Sequence, residues 1–329
     1  MTVDSSRVAP LPQAFDLSLI VPCHNEEKNV HAFFERVKDV FDGSGVSYEI
    51  VYVNDGSSDG TMAQLRSLIS EDAGAHALRA IGFSRNFGKE SAIFCGMKES
   101  HGSCVCLIDA DLQQDPALAF SMYQYLMEHE ECDVVAAYQE TRRENKVQAW
   151  LKRRFYRTFN VASDEIEMPE NMSDFRVFRR TVADALVSMP EYYRFSKGLF
   201  AWVGFNTHAV PYTPDERLAG ESSWSTRKLF KYAFSGIIAF TTWPLKVAKY
   251  IGFVSSLVAT LYLLYVLIVD YLIMGIAIPG YPTLVCLVLL FGGLQLLVLG
   301  VMGDYQARSY IEQKRRPLYI VKERYDTRG

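Results

Sequence analysis

The chain has 329 residues, of which 22% are charged and 13% aromatic, and its formal net charge is −4. This length suggests two structural units, and the composition excludes a disordered or fibrous chain. The net charge gives no reason to expect nucleic-acid binding. A mean hydropathy of +0.01 fits either an apolar soluble enzyme or the average of a polar domain and a membrane segment.

In the first 140 or so residues, short apolar segments alternate with segments of helical periodicity. Because parallel strands need long crossover connections, this alternation predicts an α/β domain with a mostly parallel sheet. The predicted strands are 17–21, 49–53, 77–83, 104–108 and 132–137. The predicted helices lie near 30–40, 59–71, 88–100 and 116–130.

Polar residues follow each of the first four predicted strands, in segments 22–27, 54–59, 84–89 and 109–113. Each segment alone fits an ordinary turn or a helix N-cap. In a parallel sheet, however, all four would meet at one edge, where such folds bind ligands. The recurrence at four strand ends therefore favours a binding site.

Asp109 and Asp111 directly follow the fourth strand, so both carboxylates can turn toward one cation. Mg²⁺ and Mn²⁺ take oxygen ligands and are commonly shared with substrate phosphates, whose departing charge they neutralise. Arg85 and Lys89 add donors suited to phosphate oxygens. No GxGxxG or GxxxxGK[ST] segment offers another nucleotide site. This edge is thus predicted to bind a divalent cation and a nucleotide diphosphate.

The second half of the chain carries membrane signals. Basic and aromatic residues interleave over 142–157, which suits an anionic lipid interface or a solvated helix face. Residues 232–249 are predicted to form an interfacial amphipathic helix. The uncharged runs Tyr250–Val269 and Tyr271–Gly303 predict two transmembrane helices at about 250–270 and 283–303, with a buried helical hairpin as the alternative.

Lysines and arginines flank the two uncharged runs on their outer sides but are absent from the connection between them. The positive-inside tendency therefore predicts a plasma-membrane protein whose termini and main domain are cytoplasmic. The expected organisation is a domain at 1–231, the interfacial helix at 232–249, two spans within 250–303 and a basic tail at 304–329. The tail is expected to lie against lipid headgroups.

Several segments resemble those of family 2 glycosyltransferases of the polyprenol-phosphate type. They are Pro22–Glu26, Asn54–Asp59, Ser84–Glu90, Asp109–Gln113, Ser173–Arg176, Arg194–Leu199, Trp202–Gly204, Ala219–Ser222 and Arg316–Ile320. The resemblance runs from about residue 17 to 323 and is greatest to the bactoprenol (undecaprenyl-phosphate) glucosyltransferases. Dolichol-phosphate mannose synthase is a more distant relative.

The resemblance implies a GT-A nucleotide-sugar fold and a set of site residues. The nucleotide sugar would be bound by Pro22, Asn25, Glu26, Asp55, Ser84, Arg85, Lys89, Asp109 and Gln113. Asp109 and Asp111 would hold the metal. The catalytic residues would be Asp111, Asp174 and Arg176, and the acceptor phosphate would contact Arg194, Lys197 and Arg217.

This sequence departs from the family pattern at a few positions. Asn54 stands where many relatives have Asp, Ser173 where many have Gly, and Ser223 and Trp224 where Lys-Tyr is common. Asn54 is expected to make no contact with the reacting groups. The change at 223 and 224 affects the loop expected on the acceptor side.

The expected function is inverting, metal-dependent transfer of glucose from UDP-glucose to undecaprenyl phosphate, which would supply a lipid-linked sugar for O-antigen or cell-envelope glycosylation. GDP-mannose or another nucleotide sugar is the alternative donor, and a membrane scaffold that binds nucleotide sugars is the alternative outside enzymes. The resemblance also implies membrane lipids, a flippase and a second copy of the chain as partners. Because a lipid phosphate is largely dianionic at pH 7, Asp174 is expected to orient groups and not to act as an obligatory base.

Overall fold

A computed structural model of the protein describes residues 15–139, 172–213, 243–265, 268 and 280–327. These residues belong to two compact units. The sheet unit contains the described residues up to 213 together with 317–327, and the helical unit contains those from 243 to 316.

The described part of the sheet unit contains eight strands in a single sheet. They are β1 Phe15–Cys23, β2 Tyr48–Asn54, β3 Ala77–Phe83, β4 Gly102–Leu107, β5 Val134–Gln139, β6 Met172–Arg179, β7 Thr207–Tyr212 and β8 Val321–Asp326. Its helices are α1 Val30–Phe41, α2 Thr61–Asp72, α3 Lys89–Glu99, α4 Pro116–Glu128, α5 Arg180–Val187 and α6 Ser196–Trp202. The strand order is β7-β5-β6-β4-β1-β2-β3-β8.

The centre of the sheet is parallel and buried on both faces. β1 pairs in parallel with β2 and β4, and β2 pairs in parallel with β3. Leu19, Ile20 and Val21 of β1 are fully buried, which explains why these three consecutive residues are all apolar, without alternation. α1 buries Val30, Phe33, Phe34, Val37 and Phe41, a spacing that places one apolar face of the helix on the sheet.

The five strands and four helices predicted from the first half of the sequence are confirmed, with ends shifted by a few residues. The sequence did not identify β6, β7 or β8. β6 lies between β4 and β5 and pairs antiparallel with both, so the sheet is only mostly parallel. This insertion carries Asp174 and Arg176 into the middle of the sheet.

The C-terminal segment differs from its prediction as a basic tail against lipid headgroups. Residues 321–326 form β8, which pairs antiparallel with the edge strand β3. The physical reason is an alternation of half-buried and exposed residues along β8, the pattern of a strand with one face against a core. Its charges are also matched within the unit, since Arg79 contacts Asp326 at 2.8 Å and Arg324 contacts Glu99 at 2.9 Å.

The helical unit contains two long helices, α7 Trp243–Tyr265 and α8 Tyr281–Gln313. α7 continues without a break across residue 249, where the predicted interfacial helix ended. Large apolar side chains are exposed on both helices, for example Phe253 at 67% and Leu296 at 71%. Among the residues that the structure describes, no helix meets the combined length and hydropathy needed for crossing a membrane. The two predicted spans are thus not confirmed.

Two further predictions fall on residues outside the described ranges. They concern the basic and aromatic segment 142–157 and most of the interfacial helix at 232–249.

Gly96 provides a test of how α3 packs on the central strand. A Cβ at this position would lie 2.2 Å from Cγ2 of Ile20 in β1. Because Ile20 is fully buried and β-branched, it cannot easily move aside. We expect Gly96→Ala to lower stability by about 1–3 kcal/mol and to lower the thermal unfolding midpoint of the purified protein.

Gly292 in α8 is the matched control, because among the described residues no atom outside the local helix backbone lies within 4 Å of the Cβ position there. Gly292→Ala gains the same helix propensity, about 1 kcal/mol, without the clash. An unfolding midpoint for Gly96→Ala at or above that of the wild type would contradict the described packing of α3 on β1.

Candidate active site

The carboxyl ends of β1, β2, β3 and β4 meet at one edge of the sheet, here called the rim, and the first two loops of the rim are joined by hydrogen bonds. Asn25 adopts a φ of +61° and its Oδ1 accepts the Ser58 N–H at 2.9 Å. The Glu26 N–H donates to Thr61 Oγ1 at 2.8 Å. These bonds make the loops after β1 and β2 one connected structure.

Pro22 and Glu26 were predicted to bind the nucleotide. Pro22 lies at the end of β1 opposite Val53, and Oε2 of Glu26 accepts a hydrogen bond from Nδ2 of Asn29 at 2.6 Å. Asn54 is buried, and its Oδ1 accepts the Ser57 N–H at 3.1 Å. In the described structure Asn54 thus contacts its own loop, and its expected lack of contact with the reacting groups stays a prediction.

Asp55 holds the loop that follows β3, residues 84–88, here called the β3 loop. Its carboxylate accepts the Phe87 N–H at 2.6 Å and the Gly88 N–H at 2.9 Å. Burial raises the pKa of Asp55, and these two hydrogen bonds oppose that shift. In the described structure both oxygens of Asp55 hold the β3 loop, and the contact with base or ribose that the resemblance implied stays a prediction.

The neighbouring Gly56 allows this close approach. Its φ is +59°, and a Cβ here would lie 2.2 Å from the carbonyl carbon of Arg85. Any other residue would push the β3 loop away from the loop after β2.

Lys89, the first residue of α3, lies between two carboxylates. Its Nζ is 2.6 Å from Oδ1 of Asp109 and 3.8 Å from Oδ2 of Asp174. Burial by itself lowers the pKa of Lys89, but the charges of Asp109 and Asp174 outweigh burial and raise it. The structure therefore brings together Lys89, Asp109 and Asp174, which lie in three different segments of the sequence.

Asp109 is further oriented by Gln114, a residue that the sequence analysis did not single out. The Asp109 N–H donates to Oε1 of Gln114 at 3.0 Å, and Nε2 of Gln114 donates to Oδ2 of Asp109 at 3.3 Å. Gln114 is buried, and its only sequence signal was its place beside Gln113 in the Asp-x-Asp segment. Asp111 accepts the Gln113 N–H at 3.1 Å across Leu112, which adopts a φ of +58°.

Asp174 and Arg176 are two residues apart on β6 and thus lie on the same face of the strand. Burial by itself raises the pKa of Asp174, but Lys197, Lys89 and Arg176 hold it below its usual range. Burial lowers the pKa of Arg176 to about 10, against the opposing charge of Asp174. Arg176 remains protonated at neutral pH and contributes a buried positive charge.

The side chain of Arg176 is held in place by its neighbours. It is 3% exposed, stacks 4.0 Å above the ring of Phe200 and donates to the Ser173 carbonyl at 2.8 Å. Arg176 is therefore placed to act on the site through its charge more than through direct contact with a bound ligand.

Glu90 is a second residue that the sequence analysis missed as a site residue, although it ends one of the segments quoted for the family resemblance. Its carboxylate accepts the Ser196 N–H at 3.1 Å and the Ser196 hydroxyl. Burial and the charge of Asp174 raise the pKa of Glu90. This contact ties the start of α3 to the start of α6, which also carries Lys197.

Arg194 was predicted to bind the acceptor phosphate, and this role stays a prediction. It is 8% exposed, and its guanidinium donates to the carbonyl oxygen of Leu186, in the last turn of α5, and to that of Met189, just beyond the helix. It also stacks 4.6 Å above the ring of Phe94. An arginine at the carbonyl end of a helix stabilises that end, so Arg194 serves the fold here.

The other predicted phosphate ligands lie in different settings. Lys197 is half-buried in α6 near Asp174, whereas Arg217 lies outside the described residues. Ser84 is exposed and its N–H donates to the Ile320 carbonyl at 2.9 Å. Arg85 is exposed, stacks 4.6 Å above Phe87 and lines a cavity of about 190 Å³ together with Asn86, Phe87, Ser91, Tyr192 and Leu318.

The arrangement combines ionised carboxylates with fixed cations at the carboxyl end of a parallel sheet. Lys89, Lys197 and Arg176 supply positive charge around Asp174, which suits binding of phosphate oxygens. Within the described residues, no group of three or more His, Cys, Asp or Glu side chains could enclose a metal ion. A cation here would need substrate oxygens as additional ligands.

Comparisons with known proteins identify the family of the chain. The family model for Glycosyl transferase family 2 matches residues 18–187. A prophage bactoprenol glucosyl transferase homolog of Escherichia coli K12 is 38% identical over 312 residues, covering 93% of this chain and 98% of the relative. The bactoprenol glucosyl transferase of Shigella phage SfV is 38% identical over 313 residues, with the same two shares.

Solved structures show the same fold. Glucosyl-3-phosphoglycerate synthase from Mycobacterium tuberculosis, in complex with Mn²⁺, UDP-glucose and phosphoglyceric acid, superposes with a TM-score of 0.51 at 15% identity. The match covers 69% of this chain and 79% of that one. At this identity the likeness concerns the fold, which is the GT-A type expected from the sequence.

The charge of Lys89 should be measurable through Asp174. Because Lys89 helps to hold the pKa of Asp174 down, we expect Lys89→Met to raise that pKa, so that Asp174 becomes protonated at higher pH than in the wild type. A carboxyl ¹³C NMR titration of the two proteins measures the shift. Lys98→Met, an exposed residue at the other end of α3, is the matched control. An Asp174 titration that Lys89→Met leaves unchanged would contradict the described electrostatics.

Proposed function

Since the chain belongs to Glycosyl transferase family 2, we propose that it transfers glucose from UDP-glucose to a polyprenyl phosphate with inversion at the anomeric carbon. The observation that carries this proposal is the cluster of Asp109, Lys89 and Asp174 at the rim. Relatives named bactoprenol glucosyl transferase match nearly the whole length of this chain, which supports glucose as the sugar and a polyprenyl phosphate as the acceptor. The fold relative that binds UDP-glucose supports the donor class.

The residues at the rim fit a divalent cation that is shared with the donor. Asp109 and Asp111 offer the hard oxygen ligands that Mg²⁺ and Mn²⁺ prefer, and Mg²⁺ is usually held by one or two carboxylates together with substrate phosphates. Asp109 is paired with Lys89 in the described structure, so its carboxylate already faces a positive charge. When bound, the cation would neutralise negative charge on the leaving diphosphate.

The reaction that we propose is a single displacement. A phosphate oxygen of the acceptor forms a bond to the anomeric carbon while the bond from that carbon to the diphosphate breaks, and UDP leaves with the electron pair. The acceptor phosphate has a second pKa near 6 and is largely dianionic at pH 7, so no proton has to be removed before it attacks. Cations that orient the acceptor phosphate are what the step requires.

Asp174 is better suited to orient these cations than to act as a base. Its pKa lies below its usual range despite burial, because Lys197, Lys89 and Arg176 surround it. A carboxylate with a lowered pKa accepts protons poorly. We therefore assign Asp174 the role of holding Lys89 and Lys197 toward the reacting phosphates.

We further propose that the helical unit attaches the enzyme to the membrane in which its acceptor resides. The two uncharged runs of the sequence and the exposed apolar side chains of α7 and α8 support this proposal. Because lysines and arginines flank these two runs on their outer sides, the positive-inside tendency would place the sheet unit in the cytoplasm.

The function is tested by incubating detergent-purified protein with undecaprenyl phosphate, Mg²⁺ or Mn²⁺ and a panel of radiolabelled nucleotide sugars. We expect lipid-linked glucose from UDP-glucose, and no transfer when the divalent cation is chelated. Transfer of mannose from GDP-mannose alone would replace the donor assignment, and no transfer from any donor would refute the proposed activity.

Asp109→Asn should abolish transfer while keeping the unfolding midpoint within a few degrees of the wild type.

The role of Asp174 is tested with Asp174→Asn. We expect a rate at least about 100-fold lower, because a group that orients the reacting phosphates is lost. The fall in rate below about pH 6 should remain, because it reports protonation of the acceptor phosphate. A pH–rate profile that loses this acidic limb, or gains a new one, would identify Asp174 as a base. Asp184→Asn, an exposed change on α5, serves as the control.

A further inference from the structure

The C-terminal segment Leu318–Asp326, here called the C-terminal strap, reaches the rim. Its strand β8 pairs antiparallel with β3, with Tyr325 opposite Ala80 and Val321 opposite Phe83. Since β3 runs toward the rim, β8 runs away from it. The residues just before β8 therefore lie beside the β3 loop.

Three consecutive residues of the strap contact this part of the rim. The Ile320 carbonyl accepts the Ser84 N–H at 2.9 Å. The ring of Tyr319 stacks on that of Phe83, with centroids 4.8 Å apart and planes 12° from parallel. Leu318 lines the cavity that Arg85 and Phe87 also line. The β3 loop is thus held by the strap on one side.

Asp55 holds the same loop from the other side through the N–H groups of Phe87 and Gly88. The next residue is Lys89, whose Nζ contacts Asp109. A loop that is fixed at both Ser84 and Phe87 determines where α3 begins. The position of the Lys89 ammonium therefore depends on contacts made by the far end of the chain.

The ion pairs of the strap do not account for this fixation. Arg66 with Glu323 and Arg324 with Glu99 are partly exposed pairs, with the arginine side chains 52% and 54% exposed. Such pairs contribute little free energy each. The backbone pairing of β8 and the aromatic stack of Tyr319 are the stronger contacts, and of these two the stack depends on a side chain that a substitution can remove.

We propose that Tyr319 is a positioning residue for donor binding, which acts by packing against Phe83 and fixing the β3 loop that leads to Lys89. This inference rests on the proposed function for its effect on a nucleotide ligand, but not for its effect on the loop. The competing explanation is that the strap only covers the open edge of β3, which would affect stability alone.

Tyr325 separates the two explanations, because it lies on the same strand but away from the rim. Its ring contacts Arg66 at 5.0 Å, and its hydroxyl donates to Glu323 at 3.0 Å. Tyr325→Ala should therefore weaken β8 without reaching the β3 loop. Tyr319→Phe keeps the stacked ring and removes only the hydroxyl, which hydrogen-bonds with the Cys95 thiol.

The test is amide hydrogen exchange at Phe87 and Gly88 in the full-length protein, for Tyr319→Ala, Tyr319→Phe and Tyr325→Ala. We expect Tyr319→Ala to speed exchange at these two amides roughly tenfold, because opening of the loop becomes easier once the stack is lost. Tyr319→Phe and Tyr325→Ala should exchange there at the wild-type rate. Equal effects of the two alanine variants, or none from Tyr319→Ala, would overturn the proposal.

A second measurement, calorimetric titration with UDP and Mn²⁺, links the loop to the ligand. Tyr319→Ala should weaken UDP binding roughly tenfold, whereas Tyr325→Ala should leave it unchanged. UDP binding that Tyr319→Ala leaves intact, although the loop exchanges faster, would overturn the link to donor binding. A wild-type protein that binds no UDP would instead refute the proposed function, while the exchange result would still decide the role of Tyr319 in the loop.

Discussion

The ammonium group of Lys89 lies between the carboxylates of Asp109 and Asp174, and the arrangement of the other charged side chains at the rim depends on this contact. Lys89 is 2.6 Å from one carboxylate and 3.8 Å from the other. Burial by itself would raise the pKa of Asp174 and favour its neutral form. With Lys89, Lys197 and Arg176 around it, Asp174 keeps its charge in spite of burial. The site therefore holds ionised groups of both signs before any substrate is bound.

The register of two strands brings these carboxylates together. β4 and β6 are antiparallel, and Leu107 lies opposite Arg176. Asp109 lies two residues after Leu107 and Asp174 two residues before Arg176, so antiparallel pairing delivers both to the same end of the sheet. Lys89 reaches that end because the β3 loop is fixed by Asp55 and by the C-terminal strap. The charged cluster thus depends on segments from the first half of the chain and from its C-terminal end.

Sequence reasoning was most accurate where local pattern and strand topology agree. The first five strands are short apolar runs, and polar residues follow the first four because the carboxyl ends of parallel strands are free of crossing chain. It did not show which contacts individual side chains make within the fold. Arg194 lies in a family segment, and the structure shows that its guanidinium donates to carbonyl oxygens at the end of α5, while Asp55 accepts hydrogen bonds from backbone N–H groups. A segment identifies a residue type, whereas the direction of its side chain depends on packing.

The sequence by itself determined the α/β class of the first half, the Asp-x-Asp segment at a strand end, the family and the concentration of uncharged residues near the end of the chain. These features depend on periodicity and on adjacent residues, which a linear sequence contains in full. Only the tertiary structure decided that β6 inserts between β4 and β5, that β8 returns to the edge of the sheet, and that Gln114 and Glu90 support the charged cluster. Each of these depends on pairing register and burial between distant segments, which no local pattern specifies.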